Sequence, residues 1–368
     1  MHADAFSAKN IYDAVFAPIV YEGIRMNLIL KRSLPLSLLA AALLAACSPA
    51  EQKSAAPVGG ASDASAPAAS TETKRVAITA IVEHPALDAV RQGLIEQLKA
   101  EGFTEGSNLV IDFQSAQGNP ATAAQIAKKF VGDKPDVIVA IATPSAQAVV
   151  AATQDIPVVY AAVTDPVAAK LVPSWEPSGT NVTGVSDQLP LGPQIDLMRK
   201  LVPNLQSVGY VYSPGEVNST VVRDQLKEEL GKAGITLAEA PAQRTTDVLT
   251  AARSLQGKAN LIYTSLDNNV VSAYESLYKA ANEIKVPLLA ADTDSVARGA
   301  VAALGINYHD TGIETGKITA RILRGEKPGS IASQRMEKFD LYLSPKHAEE
   351  QGITLSEELK QQASKIIE

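Results

Sequence analysis

The feature that most restricts the fold of this 368-residue sequence is an alternation of short apolar runs with longer segments of helical periodicity. The first run, residues 76–82, is almost wholly apolar, which is typical of a strand buried on both faces. Pro85 then stands at a first helical position, apolar residues follow at spacings of three and four, and Gly102 provides a helix stop. Such alternation predicts an α/β fold with mainly parallel sheets.

Two segments of the chain, 135–167 and 259–296, follow the same plan. Each runs from a strand through a polar turn and an Ala-rich helix to Ile-Pro or Val-Pro and a second strand that ends in Asp. The helix of the second copy is longer, so the likeness is architectural, and it predicts two similar lobes. The other strand-like runs lie at 109–113, 208–212 and, within the two copies, at 137–142, 157–162, 261–264 and 286–290.

Cys47 is the single cysteine, and it directly follows the apolar run 34–46. Lys31 and Arg32 precede this run. A basic patch before a short apolar run is typical of a secretory signal, and thirteen residues are fewer than the roughly 20 that a membrane-spanning helix needs. Residues 44–47, Leu-Ala-Ala-Cys, resemble the bacterial lipoprotein box. That resemblance implies cleavage before Cys47, acylation of the thiol and of the new amino terminus, and anchoring in the cell envelope. The alternatives, a buried inert cysteine or a catalytic one, are less favoured.

The region around this signal divides into three parts. Residues 1–25 are not signal-like, and we predict that Met26 is the true start. Residues 1–46 therefore form an upstream extension and signal peptide. Residues 48–73 consist mostly of Ala, Ser, Pro, Gly and Thr, which cannot bury enough surface to order, so Cys47 and this segment are expected to form a lipidated tether.

The net charge of −7 argues against nucleic acid as a partner. Once Cys47 carries lipid, no cysteine is left for disulfides, thiol catalysis or Cys-based zinc sites. The remaining chain is expected to divide at the repeats: 74–186 as the first lobe, 187–303 as the second, 304–343 as a return to the first, and 344–368 as a C-terminal segment that packs on the second.

Ligands of open α/β sheets bind beyond the carboxyl ends of the strands, so the turns that follow the strands are the candidate site. Helix N-termini in these turns attract carboxylates, and aspartates on the same rim attract ammonium groups. Because these turns hold no Lys or Arg, the pattern favours a zwitterion such as a free amino acid over a phosphorylated ligand. The carboxylate candidates are Thr143, Ser145, Asn218 and Ser219, and the ammonium candidates are Asp165, Asp267 and Asp292.

Each of these residues also has a simpler interpretation, since Ser, Thr, Asn and Asp stabilise helix starts by about 1 kcal/mol whatever the function. Tyr160 and Tyr212 lie near strand ends and could line an apolar side-chain pocket, although core packing is the more ordinary role for each. Catalysis is poorly supported: the four histidines, among them His84, form no metal-binding pattern, and neither a nucleophile elbow nor a phosphate loop is present. The sequence predicts no enzyme, cofactor or metal.

The same turns carry a resemblance to the substrate-binding proteins of ABC transporters, and more narrowly to the family associated with tryptophan and tyrosine uptake. It extends over about 75–360, and its motifs are IVEHPALDAVRQGL (81–94), GNPATAAQIAKKF (118–130), ATPSAQAV (142–149), IPVVYAAVTDPVAAKLV (156–172), GTNVTGVSD (179–187) and YSPGEVNS (212–219). The resemblance implies a type I periplasmic-binding fold, in which two doubly wound parallel-sheet lobes are joined by hinge strands and close on a ligand.

Together, the turns and the resemblance define the predicted ligand-binding set: His84, Thr143, Ser145, Tyr160, Asp165, Asp187, Tyr212, Glu216, Asn218, Ser219, Asp267, Asn268 and Asp292. The implied function is an extracytoplasmic solute-binding lipoprotein that delivers a free, aromatic amino acid to a membrane permease driven by a separate ATPase. The alternatives are a ligand sensor, a lipoprotein enzyme on the same fold, or an importer component for a non-aromatic amino acid or a small amide.

Overall fold

The computed structural model describes residues 72–368, so the predictions for the signal, Met26, Cys47 and the tether lie outside the described residues. The strands of this part are β1 (Lys74–Ala80), β2 (Leu109–Ser115), β3 (Val137–Ile141), β4 (Val158–Ala161), β5 (Val182–Ser186), β6 (Ser207–Tyr212), β7 (Thr236–Pro241), β8 (Leu261–Thr264), β9 (Leu288–Asp292), β10 (Ala302–Ile306), β11 (Gln334–Arg335), β12 (Asp340–Leu343) and β13 (Lys365–Ile366).

The helices lie between these strands as the alternation predicts. They are α1 (Pro85–Ala100), α2 (Pro120–Asp133), α3 (Thr143–Ala152), α4 (Leu191–Leu201), α5 (Val217–Lys232), α6 (Val248–Arg253), α7 (Asn268–Ser272), α8 (Tyr274–Ile284), α9 (Tyr308–Leu323), α10 (Pro345–Glu350) and α11 (Glu357–Gln362). In α1, the helix begins at Pro85, and the Nδ1 atom of His84 accepts the backbone N–H of Leu87 at 3.5 Å. Among residues 72–368, no helix combines the length and the apolar character that crossing a membrane would require.

The strands form two sheets. The first has the order β11-β5-β4-β3-β1-β2 and the second the order β13-β12-β10-β9-β8-β6-β7. Neighbouring strands are parallel except β10 and β12. The central strands are buried on both faces, as their continuous apolar runs require. These sheets confirm the predicted α/β class, and we call the parts built on them the first and second lobes.

The described chain crosses between the lobes three times, after β5, after β10 and after β11. After the second crossing, α9 returns to the first lobe and packs on α1 so closely that a Cβ on Gly312 would lie 2.2 Å from the carbonyl oxygen of Val90. The return is shorter than the predicted 304–343, because β10 continues the second sheet to Ile306 and β12 pairs with it antiparallel. The C-terminal β13 pairs with β12.

Each lobe has its own apolar core, and the two lobes also touch each other. Val217 and Leu266 of the second lobe pack against the buried cluster of the first lobe, and α3 approaches α5. The carboxyl ends of both parallel sheets therefore meet at a closed cleft, which is where the sequence places the candidate ligand contacts.

Candidate ligand-binding site

A cavity lies between the lobes at the carboxyl ends of the strands. Its volume is about 10 Å³, which is room for about one water molecule. Its lining residues are His84, Ala86, Leu87, Ala142, Thr143, Ala162, Thr164, Asp187, Asn218, Leu266, Asp267, Asn268, Val271, Asp292 and Tyr308. Among these there is no Lys or Arg, while three carboxyl groups are present.

The first-lobe wall of this cavity contains two alanines in strained backbone conformations. Ala142 has φ 72° and ψ 155°, and Ala162 has φ 52°, at the ends of β3 and β4. Residues with a Cβ rarely adopt such angles, and where they do, the strain is commonly found at ligand sites. Ala142 immediately precedes α3, whose first-turn N–H groups have no partner within the helix. This helix start, which includes Thr143, is suited to bind an anion.

Asp187 follows β5 at a crossing between the lobes and is 2% exposed. Its Oδ2 atom accepts a hydrogen bond from the hydroxyl of Tyr308 at 3.0 Å, while its Oδ1 atom is buried and has no partner. Burial raises the pKa of the carboxyl to about 6. A buried acceptor without a partner is costly, so this oxygen calls for a donor from a ligand.

Asp292 ends β9 and is 1% exposed. Its Oδ1 accepts the N–H of Ser295 at 2.9 Å, and its Oδ2 accepts the Ser295 hydroxyl at 2.7 Å. Burial raises the pKa of Asp292 to about 6. Each carboxylate oxygen can accept a further hydrogen bond, so Asp292 can cap its own turn and also take a donor from the cavity.

Asp267 lines the same cavity, but its hydrogen-bonding capacity is used within the second lobe. It accepts bonds from the Ser213 N–H at 2.6 Å and hydroxyl at 2.9 Å, from the Ser219 hydroxyl at 2.5 Å, and from the Val270 N–H at 3.0 Å. The group therefore caps α7 and holds the turn after β6. These contacts favour the capping interpretation of Asp267 over an ammonium contact.

Glu216 organises the neighbouring asparagines from outside the cavity. Its Oε2 atom accepts the Asn218 amide at 2.9 Å, the Asn268 amide at 2.7 Å and the Asn268 N–H at 3.1 Å. The pKa of Glu216 is raised to about 8, mainly by burial and to a smaller extent by the nearby charge of Asp267.

The orientation of the Asn218 amide follows from its two partners. Its Nδ2 atom also donates to the Leu266 carbonyl at 2.9 Å, and a carbonyl can only accept. Both amide hydrogens are therefore engaged, and the buried Oδ1 atom is left without a partner. The free atom of Asn218 is thus an acceptor, which suits a hydrogen-bond donor better than a carboxylate.

His84 lines the first-lobe wall as a neutral side chain. Burial, and then the positive charge of Arg298 in the second lobe, lowers the pKa of His84 to about 4. Arg298 is itself paired with Glu275 at 2.7 Å and does not line the cavity. The histidine thus presents a polar but uncharged surface at neutral pH.

The structure brings about half of the predicted set together and places the other half elsewhere. The cavity is lined by His84, Thr143, Asp187, Asn218, Asp267, Asn268 and Asp292, but not by Ser145, Tyr160, Asp165, Tyr212, Glu216 and Ser219.

Most of the predicted residues outside the cavity have a local partner or lie in a core. Tyr160 is buried in β4 with its hydroxyl 2.5 Å from Ser333, and Tyr212 stacks on Tyr210 with 5.5 Å between ring centroids. Asp165 caps a turn by accepting the N–H groups of residues 167 and 168. The Ser145 hydroxyl is buried without a partner, although the residue does not line the cavity.

The residues that the sequence prediction missed are mostly small or apolar: Ala86, Leu87, Ala142, Ala162, Thr164, Leu266, Val271 and Tyr308. Tyr308 could have been found, since it follows β10 just as the predicted residues follow other strands. The strained alanines give no signal in the sequence, because Ala is not a residue that positive φ favours. No group of His, Cys, Asp or Glu within residues 72–368 has an arrangement that could hold a metal ion.

Comparison with known proteins identifies the family of this chain. Residues 75–367 match the family model described as ABC transporter substrate binding protein, and the chain belongs to that family. These are extracytoplasmic binding proteins and not a class of enzymes, and more distant ABC transporter solute-binding proteins share the type I periplasmic-binding fold. The predicted family and fold class are therefore confirmed.

Three relatives are informative about the site. The tyrosine-binding protein of Clostridioides difficile is 39% identical over 275 residues, which cover 75% of this chain and 80% of the relative. A structure from Streptococcus pneumonia, described as an ABC domain in complex with L-Trp, is 32% identical, covers 80% of this chain and 100% of its own, and has a TM-score of 0.78.

The third relative is a ligand-free, open substrate-binding protein with adhesive properties from Clostridium difficile. It is 39% identical, covers 80% of this chain and 99% of its own, and has a TM-score of 0.62. The ligand-free open structure thus superposes less well than the L-Trp complex, although its sequence is more similar.

Proposed function

We propose that this protein binds a free aromatic amino acid between its lobes and delivers it to a membrane permease. The observation that carries the proposal is the distribution of charge around the cavity. Asp187 offers a buried carboxylate oxygen without a partner, and Asp292 lines the same cavity. Thr143, at the start of α3, also lines it, and the first-turn N–H groups of a helix have no partner within the helix. An ammonium group suits the first two and a carboxylate suits the third.

The apolar part of the wall supports an aromatic side chain. Leu87 of the first lobe and Leu266 and Val271 of the second line the same cavity. The names of two relatives, one tyrosine-binding and one in complex with L-Trp, point to the same ligand class. Tyrosine, tryptophan and phenylalanine are therefore the leading candidates.

Binding requires motion of the lobes, because a cavity of about 10 Å³ is far smaller than an aromatic amino acid. In our mechanism, the lobes separate at the three crossings, the ligand enters, and contacts from both lobes stabilise a closed form. The ligand shifts the equilibrium only by the difference between its affinities for the two forms. No chemical step is involved, so the protein acts as a binder and not as an enzyme.

A thermal-shift series tests the ligand assignment. The purified protein is heated with tyrosine, tryptophan, phenylalanine, leucine or glutamine. A true ligand at 100 times its dissociation constant stabilises the protein by about 2.7 kcal/mol. We expect the aromatic amino acids to raise the melting temperature most. A response to none of the amino acids would refute the zwitterion assignment, and a response to leucine alone would replace the aromatic class by an aliphatic one.

The lipid anchor through Cys47 is part of the same proposal. We expect Cys47→Ser to release the protein from membranes, or to leave it unprocessed, while the folded part still binds ligand. Cell fractionation followed by calorimetry on the released protein measures both properties. Membrane association that persists in the variant would count against anchoring at Cys47.

A further inference from the structure

The hinge of the protein contains a hydrogen bond between two different crossings. Asp187 directly follows β5, where the chain first leaves the first lobe, and Tyr308 begins α9, where the chain returns from the second lobe. The Tyr308 hydroxyl donates to the Oδ2 atom of Asp187 at 3.0 Å. The Tyr308 side chain is buried, with 4% of the residue exposed, so water does not compete for this bond.

The same carboxylate also faces the ligand cavity. Both Asp187 and Tyr308 line the cavity, and the second oxygen of the carboxylate, Oδ1, has no partner in the protein. One oxygen of Asp187 is therefore fixed by the hinge, while the other is left for the ligand. A fixed rotamer reduces the entropy lost when a hydrogen bond to the ligand forms.

We propose that Tyr308 is a positioning residue, which orients Asp187 toward the ligand's ammonium group and thereby couples ligand binding to the closed hinge. This inference rests on the proposed amino-acid function, which supplies the ammonium group. Tyr308 acts through Asp187, and its hydroxyl need not touch the ligand. The phenol is suited to this role because it stays protonated: burial raises its pKa well above the ordinary value.

The surrounding charges set the pH dependence that this role predicts. Burial raises the pKa of Asp187 to about 6, and the nearby Thr164 and Tyr308 side chains oppose this rise. Asp292 and Asp294 lie near Tyr308 from the second lobe. Arg298 acts on both of these aspartates and on the neutral His84.

An ammonium group prefers the ionised form of Asp187, so affinity should fall as the pH drops through the pKa of this carboxyl. Removal of the Tyr308 hydroxyl takes away one of the groups that lower this pKa. The loss of affinity should then begin at a higher pH.

The test is calorimetric titration of L-tyrosine between about pH 5 and about pH 8 into the wild-type protein, Tyr308→Phe and the control Tyr210→Phe. Tyr210 is likewise buried and hydrogen-bonded, but it lies outside the cavity. We expect Tyr308→Phe to bind about tenfold more weakly at neutral pH, the effect of losing a hydrogen bond to a charged group. Its affinity should also fall at a higher pH than that of the wild type, and the control should match the wild type in both respects.

A uniform loss of affinity with an unchanged pH profile would overturn the inference, because that result indicates a merely structural role. An unchanged affinity would overturn it as well. The proposed function fails separately, if the wild-type protein binds no amino acid at any pH.

A second variant keeps the test decisive if Tyr308→Phe does not fold. Asp187→Asn carries no titrating group at this position, so the part of the pH dependence due to Asp187 should disappear. Where both variants fold, the Tyr308→Phe change should cost little further affinity in the Asp187→Asn background. The coupling is contradicted if the affinity of Asp187→Asn still falls at low pH as much as that of the wild type. It is also contradicted if the effects of the two substitutions on the binding free energy are fully additive.

Discussion

The two walls of the cleft differ in what they offer a ligand. The first-lobe wall is uncharged apart from Asp187 at the hinge, and it consists of small residues, Leu87, a neutral histidine and the start of α3. The second-lobe wall carries Asp267 and Asp292, whose oxygens already cap their own turns. A carboxylate thus suits one wall and an ammonium group suits the hinge and the other wall.

This difference indicates how recognition and closure can be one event. On the first wall, the strained Ala142 directly precedes the start of α3, whose first-turn N–H groups suit an anion. The polar groups of the second wall mostly form hydrogen bonds with one another. A zwitterion satisfies both sides only when the lobes are together. We therefore expect substitutions in the second wall to divide into those that destabilise the lobe and those that weaken binding.

The largest expected effect is on stability, from Asp267→Ala. Four hydrogen bonds are lost, among them those that hold the Ser213 turn, and at about 1 kcal/mol each the free energy of unfolding should fall by about 4 kcal/mol. Urea denaturation measures this change. A variant with wild-type stability that no longer binds an amino acid would instead support the predicted ammonium role of Asp267.

The next effect is on affinity, from Asp187→Asn. The loss of a charged acceptor for the ammonium group should weaken tyrosine binding about 100-fold, with little loss of stability. Asp165→Asn is the matched control, since Asp165 was predicted as an ammonium ligand but caps a turn outside the cavity. Isothermal titration calorimetry on both variants gives the answer. An equal loss of tyrosine affinity in the two variants would show that the cavity does not define the ligand-binding site.

Glu216→Gln tests, through the pH dependence of stability, whether the Glu216 carboxyl group takes up a proton on folding. The folded-state pKa of Glu216, about 8, is raised above its ordinary value, so the folded protein holds this proton more tightly than the unfolded chain. The contribution of Glu216 to stability is thus complete at low pH and is lost as the pH rises through about 8, at no more than about 1.4 kcal/mol per pH unit.

In Glu216→Gln, the stability should fall less between about pH 5 and about pH 8, while tyrosine affinity changes little. Urea denaturation across this range measures the slope. The same slope in the variant and the wild type would mean that Glu216 is not the group that takes up the proton.

The smallest effect concerns the strained first wall. Glycine adopts the backbone angles of Ala142 without a Cβ clash, so Ala142→Gly should raise the free energy of unfolding by about 1 kcal/mol. Binding should weaken slightly, because the start of α3 becomes less rigid. Thermal unfolding and calorimetry report the two changes. A destabilised variant would show that Ala142 is not strained.

The sequence predicted the fold well because the fold depends on periodicity. Continuous apolar runs such as β3 mark strands buried on both faces, and Pro85 marks a helix start, so the order of elements follows from local chemistry. The end of the return segment was harder to predict from the sequence, because the antiparallel pairing of β12 with β10 joins residues far apart in sequence.

The candidate site was predicted only in part, for a related reason. The rule that ligands bind at strand ends selects the correct turns, but it does not tell which polar group in a turn is already engaged. Asp165 and Asp267 are both aspartates in turns that follow strands, so the sequence does not distinguish them. Only Asp267 lines the cavity, and its hydrogen bonds are to groups of its own lobe. The backbone strain at Ala162 depends on tertiary context and leaves no mark on residue type.

The most direct test of this account compares L-tyrosine with two analogues that each lack one charge. Tyrosinamide lacks the carboxylate, and 3-(4-hydroxyphenyl)propionate lacks the ammonium group. If opposite walls of a closed cleft bind the two charges, calorimetry should show saturable binding of tyrosine and about 100-fold weaker binding of each analogue, the effect of losing charge-assisted hydrogen bonds. Binding of the propionate as tightly as tyrosine would contradict the account, because the carboxyl groups at the hinge and the second wall would then have no part in recognition.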